Sequence, residues 1–174
     1  MPLSLHAAYV PSALQMIAAT RDLVDKAETW CTDQGCTSQD LIGARLHDDM
    51  LPFAYQVKSV AEHTRGAING IRAGRFSPSV DTPPRDFEGL RSTLDHAARE
   101  LGEVTVEELE ALIGAPMRFE FGEMSLPFTA EEFLLSFSQP NYYFHATTAY
   151  AIMRMKGVPL GKRDYMGKLR IDRG

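Results

Sequence analysis

The stretch 133–157, FLLSFSQPNYYFHATTAYAIMRMKG, is apolar around almost its whole circumference when it is drawn as a helix. Such a helix avoids water only where other helices surround it, so the stretch predicts the central, buried helix of an all-α domain. Pro140 removes a backbone donor inside it and predicts a kink just before Asn141. The rest of the chain is therefore expected to supply helices that cover this one.

Three polar side chains interrupt the apolar stripe of this helix. Steps of three and four residues from Phe137 lead to Asn141, His145 and Thr148, which places polar groups on the buried face. A buried polar group costs free energy unless it finds a hydrogen-bond partner. The stripe therefore indicates either a buried hydrogen-bond network or a site, where the neighbouring Tyr142 hydroxyl could orient a small-molecule ligand.

Composition limits the class of protein. The chain has 174 residues, 44% of them hydrophobic, which suffices for one core, so we predict a single domain over residues 1–174. The net charge of −5 argues against nucleic acid and anionic membrane surfaces as partners, because both attract basic proteins. No apolar run reaches the roughly 18 residues that span a bilayer, and no basic segment precedes an apolar one at residues 1–14. We therefore expect a cytoplasmic protein.

The spacing of apolar residues, caps and prolines predicts four long helices, at 12–34, 49–73, 86–102 and 130–156. The segment 103–129 is longer than a tight antiparallel turn requires, so it is expected to cross over the domain. It contains a capping box and two short alternating stretches, which predict a short helix and a small β-hairpin. The pattern thus predicts a four-helix bundle with a long crossover between helices three and four.

The spacing of the histidines does not favour a metal site. His63 falls beside the apolar stripe of helix two and is predicted to lie on the surface, too far along that helix from His47 to share an ion. His145 remains in the core, where Asn141 is a poor ligand for a transition metal. We therefore predict no tightly bound transition metal, and hydrogen bonds of Asn141 and His145 to one another or to groups from helix two such as Asp49. If a metal binds, its ligands are expected to be His145, His47 and Asp49.

Other chemistries have weaker support. Cys31 and Cys36 are the only cysteines, and without further cysteines or a nearby histidine they do not form a zinc pattern. In a cytosolic protein, two reduced structural thiols are the favoured interpretation. No serine follows the strand-to-helix elbow pattern, and no glycine-rich phosphate loop is present.

Two motifs resemble those of a known bacterial family. Residues 139–158, QPNYYFHATTAYAIMRMKGV, precede GKRDYMG at 161–167, and RLHDDMLP occupies 45–52. Both are similar to motifs of a family known only as a domain of unknown function, which is placed in the DinB-like (YfiT-like) superfamily of predicted metalloenzymes. The resemblance covers essentially the whole chain. It implies a four-helix bundle that assembles as a homodimer.

The superfamily pattern has one histidine on helix two and a His-x-x-x-His pair on helix four. The resemblance places His145 on the second histidine of that pair, Asn141 on the first, and Asp49 or His47 near the helix-two position. It thus implies a small-molecule-binding bundle that lacks the full three-histidine metal site. The alternative is a metal-dependent enzyme of the thiol transferase or isomerase type, with zinc or nickel at a reduced site on helices two and four. The predicted ligand-binding residues are Asn141, His145, Asp49, Thr148 and Tyr142.

Overall fold

The structure, a computed structural model, describes residues 2–172. Its α-helices, numbered α1 to α9 along the chain, are Leu5–Gln34, Ser38–Ile42, Phe53–Ala61, Ala67–Ala73, Phe87–Gly102, Val106–Ala111, Ala130–Glu132, Gln139–Met155 and Lys162–Met166. Two π-helical segments, π1 and π2, are Glu62–Gly66 and Phe133–Ser138. The strands β1 to β3 are Arg75–Phe76, Pro116–Phe121 and Met124–Thr129.

Four long helical segments surround one core. Helices α3, π1 and α4 follow one another without a break, as do α7, π2 and α8, while α1 and α5 stand alone. Helix α1 packs against α5 and α8, and α3 packs against the same two helices. Their buried faces meet in a single hydrophobic cluster, in which Val24, Val57, Leu94 and Ile152 have no exposed surface. The predominantly helical fold predicted from the sequence is therefore confirmed.

Two of the long helices begin at residues other than those predicted. Helix α1 begins at Leu5 rather than residue 12, because Ser4 caps it by accepting a hydrogen bond from the Ala7 N–H, and Pro11 is accommodated inside the helix. Helix α3 begins at Phe53 rather than residue 49. Pro52 precedes it with extended backbone angles, φ −73° and ψ 170°, and a proline also disfavours helical geometry in the residue before it.

The crossover between α5 and α8 contains the predicted short helix, α6, and the predicted hairpin, β2 with β3. Strand β1 was not predicted; it pairs in parallel with β2 through Arg75–Arg118 and Phe76–Phe119. Two residues are too few to show an alternating pattern. Gly70 permits this strand to approach α4, since a Cβ atom at that position would lie 2.8 Å from Cβ of Phe76.

Helix α8 is central to the core but not buried on every side. Tyr142, Ala149 and Ile152 have no exposed surface, whereas Phe144 and Met155 are 58% and 52% exposed. The reason is that α8 packs mainly on α1 and α3, with a smaller contact to α9, and the side chains between these contacts reach solvent. None of the helices within residues 2–172 is long and apolar enough to cross a membrane.

The two cysteines are bonded to each other as a disulfide, so the prediction of two reduced thiols is wrong. Gly35 ends α1 in the left-handed conformation, with φ 66°, and turns the chain back on the helix. The Cys36 N–H then donates to the Cys31 carbonyl at 3.0 Å, and the two Cα atoms lie 5.1 Å apart. The glycine turn therefore brings the two sulfur atoms together.

One backbone carbonyl joins three of the helical segments. The carbonyl oxygen of His63, in π1, accepts hydrogen bonds from the Tyr9 hydroxyl at 2.8 Å and from the Ser138 hydroxyl. The two hydroxyl oxygens are themselves 3.0 Å apart. Both side chains lie at 0% exposure, so burial removes any competing water. This polar contact fixes α1, π1 and the end of π2 relative to one another.

Replacing Tyr9 by phenylalanine should destabilise the fold by about 1–3 kcal/mol, because the His63 carbonyl and the Ser138 hydroxyl each lose one of their two buried partners while the ring is kept. Urea denaturation measures the loss. Tyr150→Phe is the matched control, since the Tyr150 hydroxyl makes no hydrogen bond within residues 2–172, and it should change the free energy of unfolding by less than about 0.5 kcal/mol. Equal losses in both variants would contradict the importance assigned to the Tyr9 hydroxyl.

Candidate functional site

Two histidines, His63 of π1 and His145 of α8, lie face to face near the middle of the fold. Their ring centroids are 5.6 Å apart and the ring planes differ by 16°. His63 is only 6% exposed, so the prediction that it lies on the surface is wrong. Its segment is enclosed by neighbouring helices, and its ring is covered by Phe76 of β1 at 5.4 Å and Phe137 of π2 at 6.0 Å. We call His63 and His145 the histidine pair.

The tautomer of His145 follows from its neighbours. Its Nδ1 atom is 2.8 Å from Oε1 of Gln56, while Nε2 of the same amide donates to the Leu51 carbonyl at 2.8 Å. The second bond fixes which end of the amide faces the histidine, and an amide oxygen can only accept. Nδ1 of His145 therefore carries the proton, and Nε2 presents a lone pair. Gln56 is 3% exposed, so this arrangement is held in the core.

Burial keeps both rings uncharged. It lowers the pKa of His63 from 6.5 to about 3, with a further contribution from the neighbouring His145. Burial likewise lowers the pKa of His145 from 6.5 to about 4. Nδ1 of His63 is buried and has no hydrogen-bond partner among residues 2–172. The histidine pair is thus neutral at physiological pH and is incompletely satisfied.

Aromatic rings surround the half-buried His145. Tyr55 meets the imidazole edge-on with centroids 6.3 Å apart, and Phe144 does so at 5.3 Å. The Phe144 ring is 58% exposed, so this apolar border reaches solvent. Nε2 of His145 is therefore a hydrogen-bond acceptor in largely aromatic surroundings.

Asn141 and Thr148 are satisfied within α8 and π2. The Asn141 amide donates to the Phe137 carbonyl at 2.7 Å, and the Thr148 hydroxyl donates to the Phe144 carbonyl at 2.8 Å. Each bond reaches one turn back along the helix, which is a common arrangement for a polar side chain inside a helix. Asn141 and His145 do not bond to one another; the partner of His145 comes from the second long helix, as the other alternative predicted, and it is Gln56 rather than Asp49.

The remaining predicted site residues lie apart from the histidine pair. Tyr142 is fully buried against Tyr9, with ring centroids 5.9 Å apart, and its hydroxyl has no partner among residues 2–172. The Asp49 side chain is 83% exposed, and its carboxylate lies 2.6 Å from Nδ1 of His47. Both residues precede α3, whose late start at Phe53 leaves them in an exposed turn. Neither contacts His145.

Sequence reasoning missed His63 and Gln56 as neighbours of His145. Both residues lie in α3 and π1, where residues 53–64 are buried at almost every position. No local sequence pattern indicates burial on all sides of this segment. Apolar periodicity predicts only one buried face for such a segment. His63 was consequently expected at the surface, although Phe76 of β1 and Phe137 of π2 cover its ring.

The three-histidine metal site of the superfamily that the sequence resembles does not fit the residues found here. Within residues 2–172, no group of three or more histidine, cysteine, aspartate or glutamate side chains is arranged so that it could hold a metal ion. The histidine pair supplies two imidazoles, whereas a catalytic zinc ion usually has three protein ligands. The resemblance places Asn141 on the first histidine of the helix-four pair. Its side chain there is an amide, whose nitrogen already donates a hydrogen bond to the Phe137 carbonyl. No step of chemistry through a metal is derived from this arrangement.

Comparisons with known proteins agree with the architecture. A family model described as a domain of unknown function, DUF1993, matches residues 5–166. A comparison with curated proteins finds no match. Among solved structures, the chain is similar to the crystal structure of a DinB family member protein from Shewanella denitrificans, with a TM-score of 0.82, 24% identity, and coverage of 98% of this chain and 96% of that one. That likeness concerns the fold alone. The chain thus belongs to the DUF1993 family, a domain of unknown function.

Proposed function

We propose that this protein is a four-helix bundle that binds a small molecule at the histidine pair, without the full three-histidine metal site. The observation that carries the proposal is the orientation of His145. Its Nδ1 atom donates a hydrogen bond to Gln56, so its Nε2 atom is unprotonated and can accept one. A ligand that donates a hydrogen bond would match this acceptor. The exposed Phe144 and the half-buried Tyr55 favour a ligand with an apolar or aromatic body.

Charge also limits the class of ligand. Because both imidazoles are neutral at physiological pH, they offer no cation to an anionic group. The buried Nδ1 of His63 would gain if a small rearrangement gave it a partner, since an unsatisfied buried polar atom is costly. An uncharged phenol, alcohol or amide fits these conditions better than a phosphate or a carboxylate.

A metal-dependent enzyme of the thiol transferase or isomerase type is the second candidate. The Gln56–His145 hydrogen bond favours it, since metal-binding histidines commonly have their second nitrogen oriented in this way. This function would require a ligand beyond the histidine pair. Assembly as a homodimer is a separate proposal and is not needed for either function.

Binding can be tested by screening uncharged aromatic fragments against protein labelled with ¹⁵N at histidine. Phenols and aromatic amides should shift the His145 resonances, and His145→Gln should weaken binding at least about tenfold, because it removes the oriented acceptor. His47→Gln is the matched control and should bind as the parent does, since His47 lies in the exposed turn. Retention of binding in His145→Gln, or failure of every such fragment to bind, would refute the proposed site.

The neutral histidines should make stability depend on pH. In the unfolded chain both titrate near 6.5, and in the fold near 3 and 4, so between these values the unfolded chain binds more protons. The free energy of unfolding must then fall as pH falls from 6.5, by about 2 kcal/mol per histidine between pH 7 and pH 5. Urea denaturation at both pH values measures this. His63→Gln and His145→Gln should each reduce the loss, and parental pH dependence in both variants would contradict burial of neutral rings.

Added zinc or nickel distinguishes the two candidate functions. His145→Gln should cost about 1–3 kcal/mol, since the Gln56 amide oxygen loses its donor, and a metal should not restore that loss. We also expect one equivalent of zinc or nickel to leave the melting temperature of the untagged parent unchanged. A rise of several degrees in the parent, absent from His145→Gln, would show metal binding to the native state and favour the metal-dependent enzyme.

A further inference from the structure

A cleft of about 450 Å³ lies between α3 with π1, the loop 77–84 and α5. Its volume is in the range of small-molecule sites. Neither member of the histidine pair lines it, so it is a different place from the site proposed above. The charged and polar residues on its walls include Lys58, Glu62, Arg65, Asp81, Ser92 and His96.

Lys58 holds the loop in place as one wall of the cleft. The residue is 8% exposed, and its ammonium group donates to the carbonyls of Ser79 and Asp81, both at 2.8 Å. The same nitrogen lies 3.3 Å from a carboxylate oxygen of Glu62. Since an ammonium group has three N–H donors, Lys58 has none left for a ligand. Lys58 therefore holds the loop 77–84 against α3 and does not bind a ligand itself.

Negative charge is in excess where the loop meets π1. The Glu62 side chain is 14% exposed, and its second oxygen is buried without a hydrogen-bond partner among residues 2–172. Burial raises the pKa of Glu62, and the charge of the nearby Asp81 contributes in the same direction. Among residues 2–172, Lys58 is the one cation that forms an ion pair with Glu62, and Asp81 forms none. A second cation would be stabilised here.

Arg65 brings a positive charge to another part of the cleft wall. Its guanidinium is about one-third exposed, at 32%, and one of its N–H groups lies 3.3 Å from Glu100. Glu100 is shared, because its other oxygen is 2.9 Å from Nε2 of His96. Within residues 2–172, Arg65 forms no ion pair with Asp81 or Glu62. A guanidinium has five N–H donors, so several are available to a carboxylate in the cleft.

We propose that the cleft binds a small zwitterion, an amino-carboxylate such as a free α-amino acid. Its ammonium group lies toward Asp81 and Glu62, and its carboxylate group contacts Arg65. Ala61 and Pro84, which also line the cleft, provide apolar contact for a side chain. A ligand with both charges uses both charged regions at once, whereas a simple amine or a simple carboxylate uses only one.

The full chain can be titrated with each of the common L-amino acids by isothermal calorimetry. We expect at least one to bind saturably, with n-butylamine and butyrate, which carry one charge each, binding at least about tenfold more weakly. Arg65→Gln and Asp81→Asn should each weaken the amino acid about tenfold or more. The matched controls are Arg118→Gln on the hairpin and Asp33→Asn near the end of α1, both exposed, and these should bind as the parent does.

Three results would overturn the proposal: no amino acid binds saturably, a singly charged probe binds as tightly as the zwitterion, or Asp81→Asn binds as the parent does. Asp81 is exposed, so this variant decides the matter even if Arg65→Gln loses stability with its contact to Glu100. His145→Gln should bind the amino acid unchanged. That result separates the cleft from the histidine pair, and either proposal can fail without the other.

Discussion

The position of the histidine pair depends on the backbone carbonyl of His63. In a regular α-helix a carbonyl oxygen is satisfied within the helix, but the carbonyl of His63 in π1 receives two hydroxyl groups from elsewhere, Tyr9 in α1 and Ser138 at the end of π2. These contacts lie in the dry core, where polar interactions are strong and expensive to leave unmade. They fix π1 against π2, and α8, which carries His145, continues directly from π2.

Burial then sets the chemistry of the pair. A charged imidazole would lose its hydration in this environment without gaining a carboxylate, because Asp49 remains in an exposed turn. The rings therefore stay neutral, and Gln56 becomes the partner of His145. Gln56 orients His145 without adding charge, which leaves Nε2 unprotonated on a ring that contacts Tyr55 and Phe144. A pair of neutral imidazoles favours a ligand with O–H or N–H donors over an anion.

The π1 segment connects two different chemical environments. His63 points into the core, where it contacts Phe76 and Phe137, whereas Glu62 and Arg65 line the open cleft beside the loop 77–84. Segments of π-helix are often found at functional sites, since the wider turn changes which side chains share a face. In this protein, one π-helical segment carries His63 on its inner side and Glu62 and Arg65 on its outer side.

The sequence by itself determined the four long helical segments, the hairpin, the family and the presence of polar groups on the inner face of α8, because apolar periodicity and capping are local properties. Only the tertiary structure decided which groups meet there. Gln56 reaches His145 across 89 residues of chain, and His63 is covered by Phe76 of a strand too short to show a pattern. Asp49 was expected on the second long helix, opposite His145. It does not reach His145, because α3 begins only after Pro52 and leaves Asp49 in an exposed turn. Hydrogen-bond partners depend on how elements pack, and that information is not contained in the periodicity of any one of them.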